Sequence, residues 1–440
     1  MIVSQTAIFN IMNKAHIISI GNELLIGDTI NTNASWIGKF LHGEGFDVEQ
    51  VITLPDDYSL LDEQLRESMK SADLVITTGG LGPTHDDITK KVVTDYFGVS
   101  LVTDQNVLNH IKKIFELRGL KFSHSNADQA LVPENANVLF NKKGTAPGLW
   151  LKENGSCLAV LPGVPHEMKY LLENEVRPRL DNQFPERVKL TMQYFHTAGV
   201  PESTLSDDLI GDLTEYFNNG LDVAFLPGAG GVKVRVEYTG SKPETSESEL
   251  LKFRERILER AGDMIYGEGR ECDLASVVGQ ILAKRNLTIS VAESCTGGRL
   301  SDEITNIPGC SRYMAGGVIA YSNRLKINML GVKKSDLDRV GAVSAEVALQ
   351  MAKGVAERTG ASIGVSTTGV AGPGGGTAEK PVGTVWMGFW LDGDHFALKG
   401  SFTDDREINK QRTAAVVLET VRRRLLSIET LPYNLIPVTP

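Results

Sequence analysis

The stretch Leu-Val-Ile-Thr-Thr-Gly-Gly-Leu-Gly at residues 74–82 decides the fold class of this chain. Its first five residues, Leu74–Thr78, are apolar or β-branched, and two glycines follow at once, a pattern typical of a buried strand that ends in a tight turn. Two further predicted strands, His16–Ile20 and Val48–Thr53, precede it, and Ser59 is predicted to begin the helix after the second of them. Strands that alternate with helices predict an α/β domain with a largely parallel sheet covered on both faces.

The same alternation returns in the last third of the chain, after a break. Pro178, Asn182 and Pro185 interrupt the pattern, and residues 190–265 then read as strand, helix, strand, strand and helix, which predicts a small α+β module. Strands and helices alternate again from Leu274. With 440 residues, about three domains are expected. We therefore predict an N-terminal extension at 1–13, an α/β domain at 14–180, the module at 181–265 and a second α/β domain at 272–430.

Composition excludes several classes of protein. Hydrophobic residues make up 41% and charged residues 23%, which is ordinary for a globular chain, and the net charge is -10. An acidic chain is a poor nucleic-acid binder, because phosphate neutralisation needs clustered Lys and Arg. No apolar run is long enough to span a bilayer, and no basic segment precedes the first apolar stretch. The four cysteines have no CxxC spacing, so we expect a cytoplasmic protein with reduced thiols and no membrane partner.

Three loops of the first α/β domain, at residues 21–33, 78–87 and 162–168, combine glycines with polar residues after predicted strands. Glycines there let backbone amides approach a phosphate, and the start of the next helix adds its positive end. Asp86 and Asp87 are adjacent carboxylates that repel each other unless a cation lies between them, which favours Mg²⁺ or a similar divalent metal bound with phosphate. The alternative is that 79–83 is only a tight turn and the two aspartates only cap the next helix.

The last domain carries a second cluster, Glu293-Ser294-Cys295-Thr296-Gly297-Gly298, between a predicted strand and a helix. Amides of Thr296, Gly297 and Gly298 could hold an anion or an oxyanion. A serine needs a neighbour that takes its proton, and the single histidine of this domain, His395, lies in a predicted strand. A lysine or tyrosine base is then the remaining option. The alternative is that Tyr321 packs and Lys326 is solvated.

A glycine-dense loop at 369–376 ends another predicted strand, so we expect it on the same sheet edge as Ser294. Arg406, just before the last helix, could pair with a phosphate bidentately. The alternative, on composition alone, is that the loop is a flexible connector. Cys295 lacks a partner histidine, which favours a packed bystander over a nucleophile.

These motifs resemble those of a known family. The run TTGGLGPTHDDIT, with GNELLIGDTINTNASWIG upstream and LPGVPHEM downstream, is similar to the molybdopterin-binding-like domain of the competence/damage-inducible protein A (CinA) family across nearly all of 14–175. The resemblance implies a three-layer α/β domain that hydrolyses the pyrophosphate of ADP-ribose with a divalent metal. Carried over, the phosphate would be cradled by Gly79, Gly80, Gly82 and Thr84, with Glu23 and Asn31 lining the pocket. Asp86 and Asp87 would hold the metal or position the attacking water.

The C-terminal motifs AESCTGG, GCSRYM, YSNRLK, GAVS, TTGVAGPGGG and KPVGTVW resemble the CinA C-terminal domain in order across about 272–428. The resemblance implies a nicotinamide mononucleotide deamidase that needs no cofactor and releases ammonia. By this analogy the reactive group is Ser294, Ser311, Tyr321 and Lys326, and the substrate-binding residues are Thr296, Gly297, Gly298, Thr368, Gly369 and Arg406. Either Ser294, on the sharper turn, or Ser311, nearer Tyr321 in sequence, would be the nucleophile.

The middle module resembles a KH-like domain, and Gly228-Ala229-Gly230-Gly231 spells GxxG. An RNA-clamping GxxG joins two helices in basic surroundings, whereas this one lies between predicted strands in a module with more acidic than basic residues. We therefore expect a linking or dimerising role, and a homodimer. Together the motifs predict a bifunctional hydrolase of pyridine-nucleotide recycling. The alternative is a non-catalytic molybdopterin- or nucleotide-binding scaffold in competence or the DNA-damage response.

Overall fold

The computed structural model describes residues 12–82, 88–187, 189–240, 243–391 and 393–439. The chain divides into two compact units, Met1–Thr191 and Met192–Pro440. The expected α/β class is confirmed in both, and the second unit also contains the small α+β module. Within the described ranges, no helix combines the length and apolarity needed to cross a membrane.

The first unit contains a six-stranded sheet in the order β2-β1-β3-β8-β7-β6 and a separate β4–β5 pair. Strands β2, β1, β3 and β8 are parallel to one another, and β7 pairs antiparallel with both β8 and β6. The strands are β1 Asn13–Ile20, β2 Phe46–Leu54, β3 Leu74–Thr78, β4 Leu101–Thr103, β5 Leu131–Pro133, β6 Asn137–Leu139, β7 Gly148–Glu153 and β8 Ser156–Leu161. The helices are α1 Asn22–Leu25, α2 Thr32–Gly43, α3 Tyr58–Ser71, α4 Thr89–Phe97, α5 Gln105–Leu117, α6 His124–Asp128, α7 Pro165–Leu171 and α8 Arg177–Gln183.

The central strands of this sheet are buried on both faces, as parallel strands between helices must be. All five residues of β3 are buried, and its bounds are those predicted from the sequence. Separate hydrophobic clusters cover the two faces, one with Ile37 and Phe40 of α2, the other with Leu61 and Leu65 of α3. The prediction that Ser59 begins α3 is wrong by one residue, since Asp57 caps this helix by accepting from the Leu60 amide at 3.0 Å.

The second unit begins with the small module, whose four antiparallel strands lie in the order β10-β11-β9-β12. They are β9 Met192–Thr197, β10 Leu221–Gly228, β11 Gly231–Tyr238 and β12 Ile265–Glu268, with helices α9 Thr214–Asn218 and α10 Ser246–Ala261. The hairpin predicted around Gly228–Gly231 is confirmed, so the GxxG sequence joins two strands and not two helices. Phe195 of β9 and Phe253 of α10 lie in the core of the module.

The last domain has a five-stranded sheet in the order β14-β13-β15-β16-β17. Its strands are β13 Ile289–Glu293, β14 Met314–Ile319, β15 Ile363–Gly369, β16 Thr384–Leu391 and β17 Asp394–Ser401. Its helices are α11 Leu274–Arg285, α12 Arg299–Thr305, α13 Asn323–Leu330, α14 Lys334–Val340, α15 Ala345–Thr359 and α16 Arg406–Leu425. Strands β14, β13 and β15 are parallel, and Glu293 pairs with Thr367. The turn after β13 and the glycine loop after β15 therefore lie at one edge, as predicted.

Buried charges join the module to this domain. Glu419, which is fully buried in α16, accepts from Arg422 at 2.7 Å and from Arg423 at 2.6 Å. Arg422 also donates to the carbonyl oxygen of Asp263 at 2.6 Å, and Arg423 donates to that of Ala198 at 3.0 Å. Because one buried carboxylate orients both guanidinium groups, the module is held against α16 by charge-assisted hydrogen bonds.

Candidate active site

Ser294 directly follows β13 at the carboxyl edge of the last sheet. Its amide donates to the carbonyl oxygen of Thr367 at 2.9 Å, which extends the pairing of β13 with β15 by one residue. Only 8% of the residue is exposed. The serine hydroxyl is therefore held on a rigid strand end, where a functional side chain is positioned more accurately than on a free loop.

Lys326 reaches this serine from α13, which begins after Ser322 caps it by accepting from the Leu325 amide. The Lys326 Nζ atom lies 2.9 Å from Ser294 Oγ, 2.7 Å from the carbonyl oxygen of Ala320 and 3.2 Å from that of Tyr321. Lys326 is 1% exposed, so the predicted alternative of a solvated lysine is wrong. The amine and the hydroxyl form a buried pair.

Burial lowers the pKa of the Lys326 ammonium, and the nearby Cys295 thiol opposes this effect. The structure describes no carboxylate bonded to Nζ that would hold the charge in place. In its neutral form this amine can donate its two N–H bonds to the two carbonyl oxygens and accept from the serine hydroxyl with its lone pair. The arrangement can therefore take a proton from Ser294.

Glu293 organises the turn that follows Ser294. This carboxyl group, 1% exposed, accepts from the amides of Gly298, Leu300 and Ser301 at 3.0, 3.1 and 2.8 Å, and from the Ser301 hydroxyl at 2.6 Å. Four donors thus satisfy it at the start of α12. The prediction that the Gly298 amide holds a ligand anion is corrected, because that amide serves Glu293.

Two amides of the turn remain available. Within the described part of the chain, the backbone N–H groups of Thr296 and Gly297 donate to no protein acceptor, while the Thr296 hydroxyl lies 2.6 Å from Thr367 Oγ1. Gly297 and Gly298 have φ angles of 63° and 104°, which a side chain disfavours. The amides of Thr296 and Gly297 are the donors that could stabilise an oxyanion next to Ser294.

The structure does not bring Ser311 to this site. Ser311 is exposed in the 3₁₀ turn Cys310–Arg312, just before β14. Because β14 runs parallel to β13, Ser311 lies at the amino edge of the sheet and Ser294 at the carboxyl edge. Six residues of strand separate the two edges by about 20 Å. Within one chain, the prediction that Ser311 belongs to the same reactive group as Lys326 is therefore wrong.

Tyr321 contributes its backbone to the site. Strand β14 ends at Ile319, and Tyr321, which follows it two residues later, is 63% exposed. Its carbonyl oxygen accepts from Lys326, and Cys295 is a buried bystander whose thiol pKa is raised to about 12 by desolvation. The described contacts therefore leave Lys326 as the candidate base.

The other predicted binding residues shape the loops around this edge. The Thr368 hydroxyl donates to the Ala342 carbonyl oxygen at 2.8 Å, and Arg406 donates to that of Gly372 at 2.8 Å. A Cβ atom on Gly369 would crowd the carbonyl oxygen of Thr384. Asn409, which the sequence did not single out, is fully buried and donates to the carbonyl oxygens of Ala371 and Thr403. It fixes the glycine loop to α16, so this loop is not a free connector.

The predicted loops of the first unit also converge. Thr78 Oγ1 donates to the Pro162 carbonyl oxygen at 3.0 Å, and Asn33 Nδ2 donates to the Gly163 carbonyl oxygen at 2.7 Å. Gly79 and Gly80 take φ angles of 111° and 65°, and a Cβ atom on Gly79 would overlap the Ile20 carbonyl oxygen. The turn therefore requires these glycines for close backbone approach. Asn33 was missed from the sequence, although it lies in the first predicted loop.

The remaining predicted residues of this unit are not brought together into one site by the described contacts. Glu23 is exposed on the one-turn helix α1, and Gly82 follows the glycine turn. Asn31 caps α2 by accepting from the Ala34 amide at 3.0 Å, and its Nδ2 donates to Thr53 Oγ1 at 3.3 Å. Three predicted residues lie outside the described ranges: Thr84, Asp86 and Asp87. Among the residues that the structure does describe, no group of three His, Cys, Asp or Glu side chains could hold a metal ion.

Fold and site together define a class of protein with three parts: an α/β domain with converging glycine loops, a small α+β module, and an α/β domain with a buried serine–lysine pair. Comparison with known families agrees with this division. Residues 16–182 match the family described as "Probable molybdopterin binding domain", 192–267 the "Damage-inducible protein CinA KH domain", and 271–425 the "CinA C-terminal domain".

Whole-chain relatives cover almost all of the sequence. The chain is 41% identical over 419 residues to a CinA-like protein of Chloroherpeton thalassium, covering 93% of this chain and 99% of that protein. It is also 41% identical over 413 residues to a CinA-like protein of Salinibacter ruber, covering 94% and 99%. The chain belongs to the CinA family. A crystal structure of CinA from Thermoplasma acidophilum is 36% identical, covers 38% of this chain and 98% of its own, and has a TM-score of 0.36.

Proposed function

We propose that the C-terminal domain deamidates nicotinamide mononucleotide to nicotinate mononucleotide and ammonia. The observation that carries the proposal is the 2.9 Å contact between Lys326 Nζ and Ser294 Oγ inside a buried site. The substrate class rests on the resemblance of the last domain's motifs to a deamidase. A serine beside a buried lysine whose ammonium pKa is lowered is chemically suited to amide hydrolysis without a histidine.

In the first half-reaction, Ser294 Oγ attacks the carboxamide carbon while its proton passes to Lys326 Nζ. The carbonyl π electrons move to oxygen, and the amides of Thr296 and Gly297 donate to the resulting oxyanion. When the carbonyl re-forms, the C–N bond breaks, and the proton on Lys326 passes to the leaving nitrogen, which departs as ammonia. An ester between the substrate acyl group and Ser294 remains.

Water completes the reaction. Lys326 accepts a proton from the attacking water, whose oxygen forms the new bond to the acyl carbon. Collapse of the second tetrahedral intermediate breaks the ester bond, and the proton returns from Lys326 to Ser294 Oγ. The product leaves as a carboxylic acid in place of the carboxamide and releases its proton to water to become the carboxylate, and the enzyme regains its starting protonation state. The same amine acts as base and acid in both halves.

Ammonia release from nicotinamide mononucleotide by the full chain, without added metal, tests this proposal. We expect Ser294→Ala and Lys326→Ala each to lower kcat by about 10³-fold or more, because each removes the nucleophile or its base. Ser311→Ala is the matched control and should retain nearly full activity, since Ser311 lies at the opposite edge of the sheet. A correctly folded wild-type chain that releases no ammonia would instead favour the non-catalytic scaffold.

A second activity is proposed for the first unit, hydrolysis of the ADP-ribose pyrophosphate with a divalent metal. What supports it is the convergence of three loops at the carboxyl edge of the sheet, where Asn33 Oδ1 is buried without a described partner. An amide oxygen is a suitable ligand for a hard cation or its water. Asp86 and Asp87 would supply the charge that holds the metal, which would activate water and stabilise the phosphate oxygens.

Metal-dependent release of AMP from ADP-ribose tests this second activity. We expect Asp86→Ala to abolish it while ammonia release from nicotinamide mononucleotide continues unchanged. Equal loss of both activities in this variant would contradict the assignment of two separate sites. Electron paramagnetic resonance of Mn²⁺, recorded with the full chain in the absence of substrate, measures metal binding independently of turnover.

A further inference from the structure

A cavity of about 430 Å³ lies between the small module and the last domain, away from Ser294 and Lys326. We call it the junction cavity. Its walls come from β9, the β10–β11 hairpin tip and β12 on one side, and from α11, α12 and α16 on the other. Both sides belong to the same compact unit, and the buried Glu419, Arg422 and Arg423 hold them together. The cavity is therefore preformed, and its volume is within the range of small-molecule sites.

The hairpin tip presents backbone to this cavity. Gly228, Ala229, Gly230 and Gly231 all line it, so one wall consists almost wholly of main chain. Gly231 must remain a glycine, because a Cβ atom would overlap the Thr197 carbonyl oxygen, and Gly230 lies against Ala415 of α16. Lys233, two residues beyond the tip, lines the cavity; its Nζ atom lies 5.9 Å from the centroid of the Tyr194 ring, and no carboxylate that the structure describes forms an ion pair with it. A cation beside exposed main chain suits an anionic group.

The carboxylates of the cavity are already compensated. Asp273 accepts from the amides of Ala275 and Ser276 as the cap of α11. Glu303 pairs with Arg299 at 2.9 Å, and burial nevertheless raises the pKa of Glu303. Neither carboxylate therefore neutralises Lys233. A carboxylate in such a wall can accept from a sugar hydroxyl, as acidic residues do in nucleotide sites.

Two aromatic rings complete the wall. Tyr266 and His196 both line the cavity, and their ring centroids lie 5.8 Å apart with an interplanar angle of 48°. Burial raises the pKa of Tyr266 to about 12, so the phenol stays neutral and presents an apolar face. Aromatic faces of this kind stack against bases and other planar rings.

We propose that the junction cavity binds a nucleoside monophosphate, with the phosphate at Lys233 and the hairpin tip, the base against Tyr266 and His196, and a ribose hydroxyl at Glu303. The lysine cation suits the phosphate, the glutamate acceptor suits the ribose, and the aromatic rings suit the base. The cavity volume is large enough for one nucleoside monophosphate. This site is separate from the Ser294–Lys326 pair, so the inference stands whether or not that pair is a deamidase.

Equilibrium dialysis of the full chain with AMP tests the proposal. The measured quantity is the amount of AMP bound per chain. AMP that binds at other sites contributes equally in all variants, so the difference between variants reports on the junction cavity. We expect Lys233→Gln, which keeps most of the aliphatic stem, to bind one AMP fewer per chain or to bind it about tenfold more weakly. Lys399→Gln is the charge-matched control, an exposed lysine on β17 that does not line the cavity, and should bind as wild type does.

Alkylation of two cysteines in the same chain locates the ligand. Cys272 lines the cavity, whereas Cys310 lies in the 3₁₀ turn before β14 and serves as the internal control. Bound AMP should slow the reaction of Cys272 with iodoacetamide several-fold and leave that of Cys310 unchanged, and Lys233→Gln should remove this protection. Equal AMP binding by wild type and Lys233→Gln, or no protection of Cys272 in wild type, would overturn the proposal. Equal protection by inorganic phosphate alone would also overturn it, since it would define a simple anion site.

Discussion

Two glycine-rich turns follow parallel strands in this molecule, one after β3 and one after β13, and they use their glycines differently. At Gly79 the backbone passes so close to the Ile20 carbonyl oxygen that no side chain fits. At Gly297 a Cβ atom would meet open space, and only the φ angle of 63° favours glycine. The first turn is glycine-rich because strands crowd together, and the second because the chain must turn sharply around Glu293.

The two turns also differ in which groups contact them. In the second turn, the start of the helix is occupied by the carboxylate of Glu293, and Ser294 contacts a lysine amine that is 32 residues away in sequence. A glycine-rich turn before a helix is therefore weak evidence for a bound phosphate, because an internal acidic side chain can take the same amides. Four changes test this contrast between the two turns.

The largest effect should be that of pH on the rate of ammonia release, because pH sets the protonation state of Lys326. Since burial lowers the pKa of this ammonium, the neutral amine dominates above that lowered pKa and is lost as the pH falls below it. The rate of ammonia release should then fall about tenfold per pH unit on the acid side and reach a plateau below the ordinary lysine pKa of about 10.4. Single-turnover rates across the pH range measure this. A rate that keeps rising to about pH 10.4 would show that Lys326 titrates as a solvated lysine.

Gly79→Ala should cost the next largest amount, about 3 kcal/mol of unfolding free energy, because it combines a disfavoured φ with overlap onto the Ile20 carbonyl oxygen. Chemical denaturation of the full chain, with the transition of the first unit followed separately, measures the loss. Gly98→Ala is the control, since Gly98 has a φ angle of 63° but open space around it. It should lose only about 1 kcal/mol. Equal losses in the two variants would remove close backbone approach as the reason for Gly79.

Glu293→Gln should cost about 2 kcal/mol, because the amide nitrogen that replaces one acceptor would face backbone donors in a buried site. We also expect kcat for ammonia release to fall by about tenfold to a hundredfold while KM changes little, since Ser294 loses its fixed position. Glu407→Gln is the control, because Glu407 is largely exposed and pairs with Arg299 on the surface. Its effect on stability should be much smaller, because solvent screens a surface ion pair. Unchanged kcat in Glu293→Gln would limit Glu293 to a structural role.

The sequence predicts local elements of this fold better than its long-range partners. Strand β3 and the β10–β11 hairpin are found because their signals, β-branched runs and glycine-rich turns, lie within a few residues. The sequence singled out Lys326, whose Nζ atom lies 2.9 Å from Ser294 Oγ in the structure, but it could not separate Ser294 from Ser311. That choice depends on β13 and β14 being parallel, which places the two serines at opposite edges.

The residues that were missed have distant partners. Asn33 bonds to Gly163, and Asn409 to Ala371, across 130 and 38 residues. No local pattern marks such an asparagine, because its value lies in backbone groups brought close only by the folded sheet. Glu293 did carry a local signal, an acidic residue directly before the turn and five residues before Gly298. This signal is ambiguous, because a bound anion and an internal carboxylate both bind to the free amides at a helix start.

The smallest effect should come from Gly297→Ala, and it separates the two turns most cleanly. Since a Cβ atom at Gly297 meets nothing, the change costs only the left-handed conformation, about 1 kcal/mol. Gly374→Ala, in the nearby glycine loop, also meets open space and has no left-handed φ, so its effect should stay within about 0.5 kcal/mol. If Gly297→Ala folds normally but loses ammonia release by more than about tenfold, the methyl group occupies space that the substrate needs. If it loses about as much stability as Gly79→Ala, both turns are set by crowding and the contrast between them fails.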